Sequence, residues 1–492
     1  MPFDNSCFDS CLRWMHKGWK PILLANAAWL AACTSLQTPH ERPALDVPAA
    51  YKEGAPGSAV WQIAQPQDSV PGAWWTLFAD PALDALQERA ASGNQNVALA
   101  VARLRAARAA LDSASAATLP SLGATASSTR ARSGTATQDG STTARTTSSH
   151  ALGLSASWEL DLWGRLSGSA DAARASAQAS ADDLAAMRLS VQATVAQTYF
   201  ALRAAEAQQQ LLEDTLAAYE RSWELTRNRQ RAGVASAADA AQAEAQYKST
   251  QVQWLEAQTS RAQLEHALAA LTGQAPAAFR LDATAALPQP PAVPAQLPAR
   301  LLERRPDIAA AERRVAAANA QIGVARAAFF PAITLTATAG FRGAQLADLL
   351  SAPHRFWSLG PALAAALFDG GARSAGVESA RANHDQAVAS YRQTVLTALQ
   401  EVEDNLAAAT ALEREQQLQV EAVAAAQRAL DVVTNQYRAG TVGYLNVLSA
   451  QTTVLAAQRG LIDVRSRRLG AVNALLKNVA GGWEPDWGQQ QP

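Results

Sequence analysis

One stretch of the chain, residues 377–439, decides the fold. It reads VESARANHDQAVASYRQTVLTALQEVEDNLAAATALEREQQLQVEAVAAAQRALDVVTNQYRA and contains neither glycine nor proline. Alanine, glutamine, glutamate, leucine and arginine, which all favour helices, make up most of it. Val388, Tyr391, Val395 and Leu399 follow the spacing of three and four residues that is typical of coiled coils. A rise of about 1.5 Å per residue predicts a helix roughly 95 Å long, and no compact domain contains such an element.

The same kind of segment occurs a second time, at residues 169–232, which also lack glycine and proline. Other motifs repeat at nearly one spacing. RAGVASAADAAQAEAQ, from Arg231, matches RAGTVGYLNVLSAQTT, from Arg438, which lies 207 residues later. DLWGR, from Asp161, matches DGGAR, from Asp369, which lies 208 residues later. We infer two similar halves, joined by an extended proline-rich linker, PQPPAVPAQLP.

Each half shows the same order of predicted elements. A helix is stopped by proline, two strands follow, a long helix ends at Gly233 or Gly440, and a second helix returns. For the two halves in turn, the predicted bounds are helices 83–118 and 306–330, hairpins about 119–161 and 332–368, long helices 169–232 and 377–439, and return helices 237–271 and 444–479. Within the first hairpin, the polar stretch Arg130–Ser149 predicts a long loop.

The predicted strands carry apolar residues on one face only. Leu152, Leu154 and Trp158, for example, alternate with glycine and serine, which is the period of a half-buried or lipid-facing strand. Four strands of about ten residues can cross a bilayer, but single-chain barrels begin at eight strands. An open sheet edge in lipid leaves backbone groups unpaired, so the chain is expected to oligomerise. A trimer supplies twelve strands and a wider, water-filled lumen than a dimer.

The composition excludes several classes of protein. The formal net charge is -1 at pH 7 and the sequence pI is about 6.6, so nothing indicates nucleic-acid binding. The mean hydropathy is -0.10, and no stretch approaches the roughly 20 apolar residues of a membrane-spanning helix. The six histidines are scattered, and motifs for metal ligation, nucleophilic attack or phosphate binding are missing. The sequence therefore predicts neither an enzyme nor a bound metal or cofactor.

The N-terminus has the pattern of a lipoprotein signal peptide. A basic run is followed by the short apolar run PILLANAAWLAA and then by Cys33. The residues Leu30–Cys33, LAAC, resemble a lipobox, after which the cleaved chain begins with a lipid-bearing cysteine. Thr34 follows, and not the aspartate typical of inner-membrane retention, so we expect the outer membrane. Because the segment before the basic run is long, Met15 is an alternative start.

The predicted organisation along the chain has six parts. They are a signal peptide at 1–32, an N-terminal anchor and extended segment at 33–80, a first repeat at 81–287, the linker at 288–298, a second repeat at 299–483 and a C-terminal tail at 484–492.

Five stretches together resemble one known family. They are WWTLFADPALDAL from Trp74, WELDLWGR from Trp158, RRPDIAAAERRVAAANAQIGVARAAFFP from Arg304, LFDGGAR from Leu367 and YRAGTVGYLNVLSAQ from Tyr437. The chain resembles the lipoprotein branch of the TolC-like outer-membrane factors of tripartite efflux systems. The resemblance implies a mixed α/β membrane protein, a homotrimer with a 12-stranded β-barrel on an α-helical barrel of coiled-coil helices. It also implies an exit duct for drugs or other small molecules, working with a periplasmic adaptor (membrane fusion) protein and an inner-membrane pump, commonly of the resistance-nodulation-division type.

The resemblance also implies roles for particular residues. The turns after the long helices would form periplasmic tips that face the adaptor, with contacts at Arg231, Gly233, Val234, Arg438, Gly440 and Thr441. The pore would close at the same end, where the family presents a leucine and, one turn later, an acidic residue to the three-fold axis. Leu445 matches the leucine, but Ser449 stands at the acidic position. We therefore expect a mainly apolar gate with weaker cation selectivity, the alternative being that both residues only pack between helices.

Other functions remain as alternatives at this stage. A structural coiled-coil stalk or adhesin needs neither the alternating strands nor the internal repeat. A channel for type I protein secretion would share the fold, and the lipobox favours efflux over it.

Overall fold

A computed structural model describes residues 39–45, 51–53, 61–63, 72–136, 142–291, 293–295 and 305–478. The predicted signal peptide, Cys33, the alternative start at Met15, part of the linker and the tail at 484–492 lie outside the described residues. Within the described residues, no helix combines the length and apolar character that crossing a membrane would require.

The order of elements agrees with the two-half interpretation. The helices are α1 (Pro81–Gly93), α2 (Gln95–Ala116), α3 (Arg165–Arg231), α4 (Ala237–Leu271), α5 (Pro306–Ala327), α6 (Ala372–Arg438) and α7 (Tyr444–Asn478). The strands are β1 (Trp61–Ile63), β2 (Ser121–Ala136), β3 (Thr142–Leu160), β4 (Val293–Ala295), β5 (Ala332–Gly343) and β6 (Arg355–Ala364). The long helices α3 and α6 each have 67 residues, and the return helices α4 and α7 each have 35. Equal lengths are what an internal repeat produces.

The described chain groups into two compact units. The strand unit comprises the described parts of 1–42, 106–178 and 312–389, and the helical unit comprises the described parts of 43–105, 179–311 and 390–492. In the strand unit, β2, β3, β5 and β6 form one antiparallel sheet in that order. In the helical unit, β1 and β4 form a short parallel pair, so the linker contributes a strand as well as a connection.

The four-stranded sheet has one apolar and one polar face. Residues paired across strands share a face, and Leu154, Ala339 and Trp357 form one such row. The next row along, Ser155, Thr338 and Ser358, points the other way, and the Thr338 and Ser358 hydroxyls lie 2.7 Å apart. We call the two sides the apolar face and the polar face. The predicted alternation is therefore confirmed across all four strands.

The predicted polar loop at Arg130–Ser149 is wrong for most of its length. Strand pairing continues from Arg130 opposite Ser148 to Ala136 opposite Thr142. Backbone ladders need no apolar side chains, and the many threonines here suit extended structure. The first hairpin strands consequently have 16 and 19 residues, more than the ten expected. The second pair has 12 and 10.

Three predicted element ends also need correction. The helix expected at 83–118 is divided at Asn94, whose side-chain oxygen accepts from the N–H groups of Asn96 and Val97 and so begins α2 as a cap. Helix α5 ends at Ala327 rather than Phe330. Strand β6 ends at Ala364, short of the predicted 368, because its partner β5 begins only after Pro331.

The long helices begin earlier than predicted, at Arg165 and Ala372, because an aspartate holds each start. Asp161 accepts from the N–H groups of Leu166 and Ser167, at 3.0 and 2.7 Å. Burial raises the pKa of the Asp161 carboxyl, but these backbone hydrogen bonds outweigh it and lower the pKa below its usual value. In the second half, the Arg373 guanidinium donates to Asp369 at 2.6 Å, and this bond lowers the pKa of that carboxyl. The repeated motif from Asp161 and from Asp369 is therefore a helix cap.

The core of the helical unit starts where the predicted extended segment ends. Trp74–Phe78 forms a short 3-10 turn instead of extended chain, because Trp74 and Phe78 are buried by it. Phe78 packs on Phe200 of α3 with ring centroids 4.7 Å apart. Asp80 then caps α1 and accepts from the Tyr199 hydroxyl at 2.6 Å.

Candidate functional site: the two helix tips

The first tip is the turn between α3 and α4, residues 232–236. Gly233 has φ +72°, a left-handed geometry that glycine adopts without a steric penalty. The N–H of Val234 donates to the Arg229 carbonyl at 2.8 Å, which closes the helix end in a Schellman arrangement. Ser236 and Asp239 then start α4 with a capping box, each side chain accepting from the other residue's N–H at 3.1 Å.

The second tip is the turn between α6 and α7, residues 439–443. Its backbone repeats the first: Gly440 has φ +80°, and the N–H of Thr441 donates to the Gln436 carbonyl at 3.0 Å. The Thr441 hydroxyl donates to the same carbonyl at 3.0 Å. The start of α7 differs from that of α4, since its first turn carries no acidic residue.

Aromatic packing fastens the second tip to its neighbours. Tyr437 and Tyr444, on either side of the turn, pack edge to face with ring centroids 5.7 Å apart. With Ala243 and Val447 they form a buried cluster, which we call the tip cluster. The Arg229 guanidinium lies 4.7 Å from the centre of the Tyr437 ring and donates to the Tyr437 carbonyl at 3.3 Å. Arg229 belongs to α3, so this contact ties the two tips together.

The buried rings of the tip cluster are shielded from water. Tyr444 is 1% exposed, and its hydroxyl lies 3.3 Å from that of Ser222 on α3. Burial raises the pKa of Tyr444 above its usual value. A ring held in this way leaves the first turn of α7 with little freedom to rotate.

Leu445 and Ser449 lie on the opposite side of the same turn. Leu445 is 61% exposed although its neighbour Tyr444 is buried. Ser449 is exposed too, and positions four apart share one helix face. The face continues with Thr452 and Thr453, whose hydroxyls donate to the Ser449 carbonyl. From Tyr444 to Ile462 the helix has no acidic residue, so this surface is apolar at its tip and neutral behind it.

The six predicted contact residues all lie at the tips and are exposed: Arg231, Gly233, Val234, Arg438, Gly440 and Thr441. Arg231 and Arg438 each end a long helix, where a positive charge is favourable next to the negative end of the helix dipole. Across the described residues, no group of three or more His, Cys, Asp or Glu side chains is placed to hold a metal ion.

Sequence reasoning missed the residues that support this surface. Tyr437, Tyr444 and Arg229 are central to it but were not singled out as site residues. Two tyrosines flanking the glycine turn, in YRAGTVGY, were a visible signal of packing across the turn. The part played by Arg229 had no comparable signal, because it depends on a contact over 208 positions.

The family model for outer membrane efflux proteins matches residues 86–274 and 297–481, one match in each half. The chain belongs to the outer membrane efflux protein family. It is 34% identical over 470 residues to a probable efflux pump outer membrane protein, TtgC, of Pseudomonas putida, covering 95% of this chain and 96% of that one. It is 31% identical over 468 residues to the cation efflux system protein CusC of Escherichia coli, covering 94% and 98%.

The structural comparison agrees with the sequence comparison. The solved outer-membrane channel OprN superimposes with a TM-score of 0.84 at 30% identity, covering 92% of this chain and 99% of that one. The fold is thus the TolC-like fold of outer-membrane channels. As a member of this family the chain is a channel and not an enzyme, and it serves as the outer-membrane exit duct of an efflux system that extends into the periplasm.

Proposed function

We propose that the chain works as a homotrimer whose periplasmic end closes at an apolar ring of three Leu445 side chains. The observation that carries the proposal is the pairing of a buried Tyr444 with a 61% exposed Leu445 at the first turn of α7. The buried ring holds the helix start, and the held helix start presents leucine to the lumen. Apolar constrictions gate a channel because water leaves a narrow space lined by hydrocarbon.

Ser449 determines the electrostatics behind that ring. A carboxylate at this position would place three negative charges around the axis and bind cations. Serine supplies three neutral hydroxyl groups, and the nearest acidic residue of α7 is Asp463. We expect the closed channel to discriminate weakly between small cations and anions.

The gate is tested by Leu445→Ala in the full-length protein. Single-channel conductance and antibiotic leakage into cells are both expected to rise, because three smaller side chains leave a wider, wetter opening. The matched control is Leu418→Ala, which removes an equally exposed leucine, 66% accessible, from α6. An unchanged conductance and leakage in Leu445→Ala would rule out the gate, as would an equal rise in the control.

The trimer rests on the edges of the sheet. Strands β2 and β6 are the outer strands of the described sheet, and each has one side without a partner. Unpaired backbone groups in lipid cost several kcal/mol each, so copies that pair β2 with β6 remove that cost. Three copies give twelve strands. Native mass spectrometry of the purified protein is expected to report three chains, and a stable monomer would contradict the arrangement.

The tips are proposed as the contact with a periplasmic adaptor. The support is their exposure together with the rigid turns beneath them. Val234→Cys and Thr441→Cys are expected to crosslink to the adaptor in cells, whereas Ser260→Cys, on α4 away from the tips, is the control and is expected to give none. Equal crosslinking at all three sites would contradict a tip contact.

We further propose an inner-membrane pump of the resistance-nodulation-division type and small-molecule cargo. The support is the likeness to TtgC and to CusC, which are named for an efflux pump and for cation efflux. A deletion strain is expected to gain sensitivity to drugs while its secreted proteins stay unchanged. Loss of a secreted protein without drug sensitivity would favour the type I secretion alternative.

A lipid on Cys33 is proposed as a second membrane anchor. The support is the signal pattern that ends at this residue, with no cysteine after it in the chain. Intact mass measurement of the mature protein is expected to show acylation at a chain beginning with Cys33, lost in Cys33→Ser. A mature chain that begins elsewhere, or an unmodified Cys33, would overturn the anchor.

A further inference from the structure

The sheet has a membrane-facing direction that the connections define. Within the strand unit, α2, α3, α5 and α6 all join the sheet at the end marked by Ser121, Leu160, Ala332 and Ala364. The hairpin turns lie at the other end, beyond Ala136 and Gly343. Because the helices belong to the periplasmic part, the turns face the cell exterior. The inference below rests on the proposed placement of this sheet in the membrane with its apolar face outward.

The apolar face carries a continuous band of exposed hydrophobic side chains. It begins at the row of Leu160, Ile333 and Leu363 and reaches the row of Leu152 and Phe341. Eight residue steps cover about 27 Å along a strand, or roughly 20 Å along the membrane normal at the usual tilt, close to the typical band height. Trp357, at 79% exposure, stands near its outer limit.

Basic side chains follow immediately beyond this band on the same face. Arg355 pairs with Phe341 in the last apolar row, and His150 pairs with Gly343 in the next. Arg130 and Arg132 occupy the two rows after that, since β2 pairs His150 with Ser128 and continues outward. All three arginines are exposed. We call Arg130, Arg132, His150 and Arg355 the basic girdle.

The girdle has no acidic counterpart on its own face. Glu159 is the one acidic residue in the four strands as the structure describes them, and it lies on the polar face at the periplasmic end. Among the described residues, none of the three girdle arginines forms an ion pair. The arginines of the polar face differ, since Arg342 lies over the Phe356 ring at 5.2 Å.

We propose that the basic girdle binds the phosphate groups of lipids in the outer leaflet. Guanidinium groups bind phosphate with two parallel hydrogen bonds, and three of them stand at the level where hydrocarbon gives way to headgroups. A lipid seated there places its acyl chains against Leu152, Leu154 and Trp357 and its phosphates against the girdle. The occupant is thus a phosphorylated membrane lipid, not a free anion.

The test uses the full-length trimer in phosphatidylcholine nanodiscs with a minor fraction of lipid A labelled on an acyl chain. Energy transfer from tryptophan to the label reports lipid A next to the protein. A second sample contains lipid A with its phosphates removed, and a third adds inorganic phosphate to the buffer. The variant is Arg130→Gln/Arg132→Gln/Arg355→Gln, and the matched control is Arg145→Gln/Arg342→Gln, on the polar face of the same strands.

Each arginine near an anionic headgroup is worth about five-fold in association, so the triple variant is expected to lose at least roughly ten-fold. The control is expected to retain wild-type enrichment, and inorganic phosphate is expected not to compete. Equal enrichment of the dephosphorylated lipid, or an equal loss in the control, would overturn the proposal, and competition by inorganic phosphate would show a free-anion site in its place. Failure of the wild type to insert would instead refute the membrane placement on which the proposal rests.

Discussion

The two tips share a backbone turn but are stabilised in different ways. The first tip is supported locally, by the capping box of Ser236 and Asp239. The second is supported by distant packing, in which Tyr437 and Tyr444 contact Ala243 of α4 and Arg229 of α3. At the positions matching Leu445 and Ser449, 207 residues earlier, the first tip has Ala238 and Gln242, so it offers no large apolar side chain for a gate.

This difference separates two tasks within one repeat. A local cap makes a tip that holds its shape by itself. A turn held by tertiary packing can be released by changes in its neighbours, and it carries the exposed Leu445 as well. We therefore assign the gate to the second tip, with the first tip as the fixed element that it packs against.

The largest expected effect follows from removing the ring at the start of α7. Tyr444→Ala deletes a side chain that is 1% exposed, and such aromatic truncations cost about 3–5 kcal/mol. Hydrogen exchange of the amides in the second tip is expected to speed up, with the first tip much less affected. Tyr247→Ala, which removes a half-buried ring stacked on Trp223, is the control. Equal effects of the two variants on the second tip would contradict the role assigned to the tip cluster.

A smaller and symmetrical effect is expected at the two turn glycines. Gly233→Ala and Gly440→Ala each place a side chain at positive φ, where nothing lies within 4 Å of the new methyl group. The cost is then purely conformational, about 1–2 kcal/mol per site. Local unfolding free energies from hydrogen exchange are expected to fall by the same amount at both tips. A much larger loss at one tip would show that the turns are not equivalent.

The smallest expected effect comes from removing the local cap. Ser236→Ala loses the acceptor for the Asp239 N–H and is expected to cost about 1 kcal/mol. Exchange is expected to quicken in the first turn of α4 and to stay unchanged in that of α7. Ser260→Ala, within α4, serves as the control for loss of a hydroxyl. An equal response at the second tip would mean that it depends on the cap of the first.

Much of this architecture could be predicted from the sequence because it follows from local patterns. The glycine turns, the return helices at Ala237 and Tyr444 and the alternating strands each have a short-range signal. Their agreement in two halves strengthened the prediction. The exposed side chains of Leu445 and Ser449 agree with the predicted gate, while their role awaits the experiments above.

The errors share a physical origin, which is that pairing and capping override side-chain pattern. Arg130–Ser149 looks like a loop from its polarity, yet its backbone pairs across the hairpin. Asn94 divides a helix because its side chain also donates to the carbonyl of Leu271, far along the chain. The support of the second tip by Arg229 depends on a similarly distant contact. Local sequence carries no record of such partners.

The central claim is that the gate is an apolar ring of Leu445 backed by neutral Ser449. The most direct measurement is the ratio of cation to anion permeability of single channels in planar bilayers, for the wild type and for Ser449→Asp. We predict weak selectivity in the wild type, and strong cation selectivity with block by divalent cations in the variant, because three carboxylates then surround the axis. Equal permeability ratios and no block in the variant would contradict the placement of this helix face at the gate.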